Sequence, residues 1–198
     1  MENTPFKYDI GVIHGRFQVF HNDHLKYLLT GKLLCRHMVV GITNPDPSLV
    51  RQETADPNRS RLTTNPLTYY ERYILIRSAM QENHIRSHEF SIVPLPINRP
   101  ELYKYYVPLD AVFFLSIYDD WGEKKLSYFE SMGLKTHIIR KVSLEEKGIS
   151  AGDIRHFMIN NQPWEHLLPK SVARLMKQWK ISERLQQLNQ SDDNSDVK

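Results

Sequence analysis

The 198-residue sequence contains almost no cysteine. Cys35 is the single one, which excludes a disulfide within the chain and any zinc site built from several thiolates. Such sparing use of cysteine is typical of a reducing compartment. We therefore expect a fold that its hydrophobic core alone stabilises.

Long apolar runs are also missing. The sequence has no stretch of about 18 apolar residues, the length that a membrane-spanning helix needs. Residues 1–8 lack the apolar segment of a signal peptide. We expect a cytoplasmic protein with no membrane partner. Hydrophobic residues make up 40% and charged residues 25%, as in an ordinary globular domain, so a sizeable core can form.

A large excess of charge of either sign is absent too. The formal net charge is only +3, the isoelectric point is about 8.9, and no dense tract of lysine and arginine occurs. A nucleic-acid-binding module and a basic pocket for phosphate groups both fit this balance, and composition does not separate them. Without a basic tract, we expect no nucleic-acid partner.

Apolar segments of two kinds alternate along the chain. Five short runs predict β-strands, at residues 10–13, 38–42, 90–95, 111–117 and 136–139. The run 111–117 is continuously apolar, which is typical of a central strand. Four segments between or after these runs have the apolar spacing of a helix. They are marked by Leu25, Leu28, Leu29 and Leu33; by Tyr69, Tyr73, Ile76 and Met80; by residues 123–132; and by residues 152–159. This order predicts an α/β fold, a doubly wound (Rossmann-like) parallel sheet.

The last part of the chain differs from the rest. An amphipathic pattern after the strands predicts a C-terminal helical extension, carried by Leu168, Val172, Leu175 and Trp179. Residues 189–198 are polar and rich in acid, so we expect one domain over residues 1–188 and a disordered polar tail over 189–198. Residues 43–64 show no regular pattern, which is typical of a functional or disordered loop.

The first predicted strand leads into a short polar segment and then into a helix that begins near Asn22. Ligands of open parallel sheets bind outside the carboxyl ends of the strands, and a helix start offers free N–H groups to an anion. Gly15 lets the backbone approach a ligand, and Arg16 can bind phosphate oxygens through two nitrogens. His21 and His24 lie on the same side of the first turn, where both can donate hydrogen bonds as charge builds on a leaving pyrophosphate.

Two other interpretations apply to the histidine pair. Histidines at a helix start often face solvent and have no ligand. Two imidazoles can also hold a metal ion, but Asp23 is the single obvious third ligand, so we expect no metal site in the protein. The order of strand, glycine, arginine and helix favours the phosphate site.

Four segments together resemble a known family. Residues 15–24 (GRFQVFHNDH) are similar to the HxGH signature of the nucleotidyltransferase superfamily, in the form GR(F/M)QPFHxGH of the archaeal-type nicotinamide-mononucleotide (NMN) adenylyltransferases. Residues 65–72 (NPLTYYER) resemble its (N/D)PFTAGER segment, and residues 149–155 (ISAGDIR) resemble ISxTxIR. Residues 164–169 (WEHLLP) resemble its closing W…(V/L)P. The segments stand in family order and cover roughly residues 8–185.

The resemblance implies an enzyme that transfers AMP from ATP to NMN and releases pyrophosphate, with NAD as the product. A phosphate oxygen of the acceptor would attack the α-phosphorus of ATP directly, and Mg²⁺ would accompany the ATP phosphates. Catalytic roles fall on His21, His24 and Arg155. The implied ATP-binding residues are Gly15, Arg16, Phe17, His21, His24, Ser150 and Arg155.

The resemblance also implies a place for the acceptor. NMN would lie between residues 43–65 and 98–106, both of which follow predicted strands. Its expected contacts are Asn65, Asn98 and Tyr103. Tyr103 stands at the position of the family's stacking tryptophan and offers a flat face to the cationic nicotinamide ring. The alternative is that this tyrosine, with Tyr105 and Tyr106, packs in the protein or meets a partner, since family members often form homo-oligomers.

The later motifs have purely structural alternatives. Thr68 and Glu71 have the spacing of a capping box, which by itself would begin a helix. Ser150 can cap the helix that carries Arg155. The closing segment contains Trp164, which suits a hydrophobic core as well as a site.

The sequence departs from the family pattern at several motif positions. Asp23 replaces the glycine of HxGH and adds a negative charge beside the site. We expect Asp23 to point outward, with Asn22 as the N-cap of the helix. The arginine that the family carries before its second motif is Thr64 here, and either Arg59 or Arg61 is a possible substitute.

Three other functions remain compatible with the sequence. The first is the same chemistry on another phosphorylated small molecule. The second is a non-catalytic nucleotide-binding protein, which the carboxylate of Asp23 and the missing hydroxyl at Gly152 suggest. The third is a nucleic-acid-binding module, which only the basic isoelectric point suggests. Release of pyrophosphate distinguishes the enzymes from the nucleotide-binding protein, and salt-dependent binding to mixed DNA or RNA would favour the third function.

Overall fold

A five-stranded parallel sheet forms the centre of the computed structural model, which describes residues 6–46, 61–143, 145–146 and 148–195. The strands are β1 (Tyr8–Gly15), β2 (Cys35–Thr43), β3 (Phe90–Leu95), β4 (Val112–Ile117) and β5 (Lys135–Lys141). Their order in the sheet is β3-β2-β1-β4-β5, and every neighbouring pair is parallel. All five predicted strands are confirmed.

The helices separate and follow these strands. They are α1 (Asn22–Leu34), α2 (Tyr69–Glu82), α3 (Asp120–Ser131), α4 (Ala151–Ile159), α5 (Lys170–Gln178) and α6 (Ile181–Ser195). Short 3₁₀ turns cover Leu62–Thr64, Pro100–Tyr105 and Glu165–Leu167. In the part of the chain that the structure describes, no helix is long and apolar enough to cross a membrane.

The chain groups into two compact units. The sheet unit comprises Met1–Gly15, Lys26–Thr43 and Ile85–Gly148, and therefore holds all five strands, most of α1 and the whole of α3. The helical unit comprises Arg16–Leu25, Asn44–His84 and Ile149–Lys198, with the start of α1 and helices α2, α4, α5 and α6.

Helices cover both faces of the sheet unit. On one face α1 approaches closely at Gly31, where an added Cβ would lie 2.6 Å from Ile13 Cδ1 and 2.9 Å from Met38 Cε. On the other face α3 presents Phe129 to a buried cluster that includes Val12, from β1, and residues of β2, β3 and β4. The α/β class with a Rossmann-like parallel sheet and C-terminal helices is thus confirmed.

The strand order reverses between β1 and β4, which is the topological switch point of the sheet. From β1 the chain adds β2 and β3 on one side, then crosses to β4 and β5 on the other. In open parallel sheets, ligands bind at this point, outside the carboxyl ends of the strands. The carboxyl end of β1 is Gly15, and Arg16 is the first residue after it.

Helix α1 differs from the prediction in its buried face. Leu33, expected on that face, is 79% exposed. Lys32 is buried in its place, and its ammonium donates to the Cys35 carbonyl at 3.2 Å and pairs with Glu89 at 3.2 Å. A lysine can occupy this position because its charge finds an acceptor and a carboxylate there.

The predicted disordered tail was placed too early. Helix α6 continues to Ser195, so residues 189–195 are helical. Near the end of the helix, the Thr63 hydroxyl donates to Asp192 at 2.8 Å, which ties this turn to the 3₁₀ turn at Leu62–Thr64. Residues 196–198, and residues 47–60 of the patternless loop with Arg59, lie outside the described residues.

Candidate functional site

The segment after β1 leaves the extended conformation two residues beyond the strand. Phe17 adopts φ of 54°, in the left-handed region that side chains seldom occupy. The Phe17 ring is buried and packs against Phe20, with ring centroids 5.7 Å apart. Residues held in such conformations cluster at ligand sites, where the surrounding structure imposes them. Phe17 therefore shapes the turn, and its ring belongs to the core.

His21 and His24 lie together at the start of α1. The carbonyl of His21 accepts from Leu25 N at 3.0 Å, so His21, rather than the expected Asn22, occupies the N-cap position. The two imidazole rings face each other, with centroids 3.8 Å apart. The His24 ring also meets Phe17 edge-on at 5.1 Å. The expected juxtaposition of the two histidines is present, beside the first-turn N–H groups of a helix.

The Asn22 side chain takes a different role from the cap. It donates to the carbonyl of His166 at 3.1 Å and so links the first motif to the segment 164–169. Asp23 lies in the first turn of α1, where a carboxylate interacts favourably with the helix dipole, and it is neither fully buried nor fully exposed.

Gln18 joins the first and second motifs. Its side-chain amide donates to the Leu67 carbonyl at 2.8 Å and accepts from Leu67 N at 2.9 Å, a bidentate pair that imitates a strand ladder. Gln18 is only 4% exposed, so these bonds lie away from water. Glutamine was not among the predicted site residues, because a single polar residue within a motif gives no sign of its partner.

Arg72 is the second residue that sequence reasoning missed as part of the site. It is 2% exposed, and its guanidinium donates to the carbonyls of Arg16 at 2.9 Å and Asn44 at 2.8 Å. Burial lowers the pKa of Arg72 to about 10; Tyr69 opposes this shift, and the charge of Arg16 adds to it. The sequence does contain one indication that Arg72 is buried, because it lies on the apolar face of a helix, one turn before Leu75 and Ile76.

Arg155 brings the third motif to the same place. Its guanidinium donates to the carbonyl of Gln18, 137 residues away in sequence. Burial lowers the pKa of Arg155 to about 10, and Arg16 contributes in the same direction. An arginine remains protonated in proteins, so the positive charge of Arg16 acts on both Arg72 and Arg155 in addition to their burial. Such a cluster is suited to a polyanion.

Ser150 caps helix α4. Its hydroxyl accepts from Asp153 N at 3.2 Å, and its backbone N–H donates to the Asp153 carboxylate at 2.9 Å, which completes a capping box. Thr68 and Glu71 form a second capping box at the start of α2. The structural alternatives given above for these two motifs are therefore present, and a phosphate contact of Ser150 stays a prediction.

Helix α6 supports the second motif through Arg184. Its guanidinium forms a bidentate ion pair with the Glu71 carboxylate, at 2.9 and 2.7 Å, and donates to the Pro66 carbonyl at 3.0 Å. Burial raises the pKa of Glu71, but hydrogen bonds from Arg184 and Thr68 outweigh it and hold that pKa below its ordinary value. The C-terminal extension thus fixes the segment that carries Arg72.

The expected acceptor residues do not all fit their assigned roles. Tyr103 is 1% exposed, and its hydroxyl donates to the Ile97 carbonyl at 2.7 Å. The Tyr103 ring packs in the core of the sheet unit and has no free face on which a nicotinamide ring could stack. The predicted stacking role is therefore wrong, and Tyr103 packs in the protein, as the alternative stated. Asn98 is exposed in the sheet unit. Asn65, in the helical unit, bonds to Arg61 and Thr64.

The described residues contain no group of three or more histidine, cysteine, aspartate or glutamate side chains that could hold a metal ion. The helical unit instead gathers three guanidiniums and two imidazoles at a helix start. The sheet unit defines a Rossmann-like α/β protein, and the charges of the helical unit are suited to an anionic, phosphate-bearing ligand.

Comparison with known proteins gives the family. No protein-family model matches the chain. Phosphonoformate cytidylyltransferase of Streptomyces viridochromogenes is 46% identical over 175 residues, which cover 88% of this chain and 94% of the relative. Nicotinamide-nucleotide adenylyltransferase of Thermococcus sibiricus is 30% identical over 90% of this chain and 88% of its own. The chain therefore belongs to the nucleotidyltransferases, the family of both relatives, and it is an enzyme of this kind.

Solved structures agree on the fold. A bifunctional NMN adenylyltransferase/ADP ribose pyrophosphatase from Francisella tularensis superposes with a TM-score of 0.66 at 18% identity, over 94% of this chain. This chain spans only 54% of that protein, about half its length. A nicotinate-nucleotide adenylyltransferase from Vibrio parahaemolyticus gives a TM-score of 0.55 at 13% identity, over 88% of this chain and 95% of its own.

Proposed function

We propose that the protein is a cytidylyltransferase that transfers CMP from CTP to a small phosphonate such as phosphonoformate, and releases pyrophosphate. The observation that carries this proposal is the 46% identity to phosphonoformate cytidylyltransferase over nearly the full length of both chains. The reaction needs an oxygen of the phosphonate to attack the α-phosphorus of CTP. The bond from that phosphorus to the bridging oxygen breaks, and pyrophosphate leaves with the electron pair.

The geometry of the helical unit suits this chemistry. The guanidinium groups of Arg16 and Arg155 would hold the triphosphate, and the buried Arg72 adds a positive charge near Arg16. His21 and His24 would donate to phosphate oxygens as negative charge moves onto the leaving group. Mg²⁺ would arrive bound to the triphosphate, as part of the substrate.

Adenylyl transfer from ATP to NMN is the second candidate. Relatives with that name, from Thermococcus and Pyrococcus, are 27–30% identical over about nine-tenths of this chain. The order of the four motifs fits them as well. Against it, the ring expected to stack on nicotinamide, Tyr103, is buried. We therefore place cytidylyl transfer first.

A matrix of substrates tests both candidates. The protein is incubated with Mg²⁺ and one of CTP, ATP, UTP or GTP, each with phosphonoformate, methylphosphonate or NMN. Pyrophosphate release gives the rate, and mass spectrometry identifies the product. We expect the CTP and phosphonoformate pair to exceed all others by at least about 10-fold in kcat/KM, a difference of about 1.4 kcal/mol.

The matched controls are the His21→Ala/His24→Ala double variant and a variant at a histidine outside the site, His37→Ala. His37 lies at the amino end of β2 and bonds to Ser91 and His88. Faster turnover of ATP with NMN would replace the first candidate by the second. Full turnover in the double variant would show that His21 and His24 do not form the catalytic site.

A further inference from the structure

Arg72 uses all three nitrogens of its guanidinium to bind backbone carbonyls. Nε donates to Thr68 at 3.3 Å, Nη1 to Arg16 at 2.9 Å and Nη2 to Asn44 at 2.8 Å. All four residues belong to the helical unit. The Arg72 side chain is 2% exposed, so water does not compete for these bonds. Because its nitrogens are engaged with carbonyls inside the protein, Arg72 is not placed to contact a phosphate group directly.

The burial of a charged side chain at this position calls for an explanation. Arg72 lies on the buried face of α2, where leucine or methionine would pack without the cost of removing a charge from water. Arginine offers what those side chains lack, a planar group whose donors have a fixed geometry. It can therefore hold several carbonyls in one arrangement, whereas a lysine ammonium is a single point charge. The identity of the bound carbonyls indicates what Arg72 does.

Two of the three carbonyls belong to residues that directly follow strands. Arg16 is the first residue after β1, and Asn44 is the first residue after β2. Each bond lies at a residue in the left-handed region or next to one, since Asn44 has φ of 48° and Phe17, the neighbour of Arg16, has φ of 54°. Such conformations persist where the surrounding structure imposes them. The Arg72 guanidinium contributes to this by fixing both carbonyls.

The start of α2 gives Arg72 a fixed base. The capping box of Thr68 and Glu71 closes the first turn, and Arg184 of α6 pairs with the Glu71 carboxylate at 2.7 and 2.9 Å. Arg72 follows Glu71 in the helix, and its backbone N–H donates to the Thr68 carbonyl at 3.2 Å. The Arg72 side chain therefore extends from a turn that hydrogen bonds hold in place.

The backbone from Arg16 to Gln18 is held at both ends by a guanidinium. Arg72 binds the Arg16 carbonyl at one end, and Arg155 binds the Gln18 carbonyl at the other. A side chain meets a ligand in a reproducible geometry only if the groups around it hold its own backbone in place. The bond from Arg72 therefore limits the directions in which the Arg16 side chain can extend.

We propose that Arg72 is a positioning residue for nucleotide binding. By holding the carbonyls of Arg16 and Asn44, it keeps the Arg16 guanidinium in the orientation that binds the triphosphate. This role rests on the proposed function, in which Arg16 binds the triphosphate of the nucleotide. Arg72 itself touches neither substrate and takes no part in the bond changes. Its replacement should therefore weaken nucleotide binding and leave the chemical step nearly unaltered.

Steady-state kinetics with CTP and phosphonoformate test this role in Arg72→Lys and Arg72→Met. Lysine keeps the charge and methionine the apolar stem, but neither can hold three carbonyls. We expect the KM for CTP to rise about 10-fold in both, as for loss of one charged hydrogen bond to the triphosphate. Both kcat and the KM for phosphonoformate should change less than about 3-fold, as when only binding common to the ground and transition states is lost. Arg77→Lys and Arg77→Met, at an exposed position of α2, are the matched controls and should change none of these quantities.

A double-variant cycle separates positioning from a purely structural role. In the Arg16→Ala background, Arg72→Lys should raise the KM for CTP by less than about 2-fold, because the side chain that Arg72 positions is already gone. Equal effects of Arg72→Lys in the two backgrounds would overturn the role, since general damage to the fold does not depend on the Arg16 guanidinium. If Arg72→Met does not fold, Arg72→Lys still allows the cycle, because lysine can donate to one of the carbonyls.

Two results in the single variants would also overturn the role. A wild-type KM for CTP in Arg72→Lys would show that the positive charge is sufficient without the planar fork. A lower Tm together with an unchanged KM for CTP in both variants would leave Arg72 with a role in stability alone.

Binding measurements distinguish failure of this role from failure of the proposed function. Calorimetry with CTP or ATP in the presence of Mg²⁺ needs no turnover. If wild type binds ATP rather than CTP and the Arg72 variants bind ATP about 10-fold more weakly, the positioning role holds and cytidylyl transfer fails. If wild type transfers CMP and the variants bind CTP as tightly as wild type does, the role fails and the reaction stands. Absence of binding of both nucleotides to wild type would overturn both.

Discussion

The His21 and His24 rings face each other at the helix start, so we expect both to act on the transition state. A donor that meets charge only as it develops contributes little to ground-state binding. His21→Ala and His24→Ala should each lower kcat by about 10²–10³ and change nucleotide affinity far less. Single-turnover kinetics and calorimetry with CTP measure the two effects, with His37→Ala as control. Full turnover in both variants would rule out this role.

Arg155 combines two tasks that a lysine cannot perform together. One nitrogen of its guanidinium already donates to the Gln18 carbonyl, and the others remain for phosphate oxygens. Arg155→Lys should therefore raise the KM for the nucleoside triphosphate by about 10-fold or more, as for loss of one charged hydrogen bond. Arg77→Lys, at an exposed position of α2, is the control. An unchanged KM in Arg155→Lys would remove Arg155 from the nucleotide site.

Residues whose role depends on the backbone of a distant segment are hard to predict from sequence. Arg16, His21 and His24 belong to the first motif and Arg155 to the third, and hydrogen bonds join the first motif to each of the other three. Gln18 and Arg184 act through the carbonyls or carboxylates of segments 49 and 113 residues away, which no spacing rule reveals. Tyr103 was misassigned because an aromatic residue suits a core and a binding face equally well.

At the scale of elements, the Glu71 and Arg184 ion pair joins α6 to the start of α2. The pair is partly buried, with side-chain exposures of 16% and 36%. Glu71→Gln should lower the free energy of unfolding at pH 7 by about 1–2 kcal/mol, after allowance for solvent screening. Glu183→Gln, at an exposed position of α6, should have little effect. Urea unfolding measures both.

The same ion pair makes the stability of the protein depend on pH, and the direction of this dependence can be predicted. The pKa of Glu71 is lower in the folded protein than its ordinary value of 4.5, so its contribution is complete above that value. As pH falls below about 4.5, the unfolded chain takes up the proton first, and the contribution is lost. The stability difference between wild type and Glu71→Gln should therefore shrink with falling pH. A constant difference from pH 7 to pH 3 would contradict the assignment.

Helices and strands could be predicted from the sequence where their burial produces a regular pattern of apolar residues. Buried parallel strands appear as continuous apolar runs, and β3 was predicted with its observed bounds, Phe90–Leu95. Helix α6 was missed because its polar sequence dilutes the apolar positions, although Ile181 and Leu185 are fully buried. Intrinsic polarity suggested disorder, and packing against α4 and the 3₁₀ turn at Leu62–Thr64 overrides it.

At the scale of the whole molecule, we expect the helical unit to lose stability when its own core is damaged. Leu185 is 0% exposed, and Leu185→Ala should lower the free energy of unfolding by about 2–5 kcal/mol. Hydrogen exchange should rise across α4 and α6, the helices that pack together. Leu33→Ala, at a position that is 79% exposed, should change stability by less than about 0.5 kcal/mol. Equal effects of the two changes would contradict the described packing.

The helical unit is assembled from three separate stretches of chain, and this has a consequence for synthesis. A ribosome delivers the chain from its amino end, at about 5–20 residues per second. Every stretch of the sheet unit, up to Gly148, is synthesised before Arg184 and Asp192. Those residues complete contacts with Glu71 and Thr63, 113 and 129 positions earlier. A nascent chain can therefore carry a finished sheet while Arg16 and Arg72 of the helical unit still await the last helix.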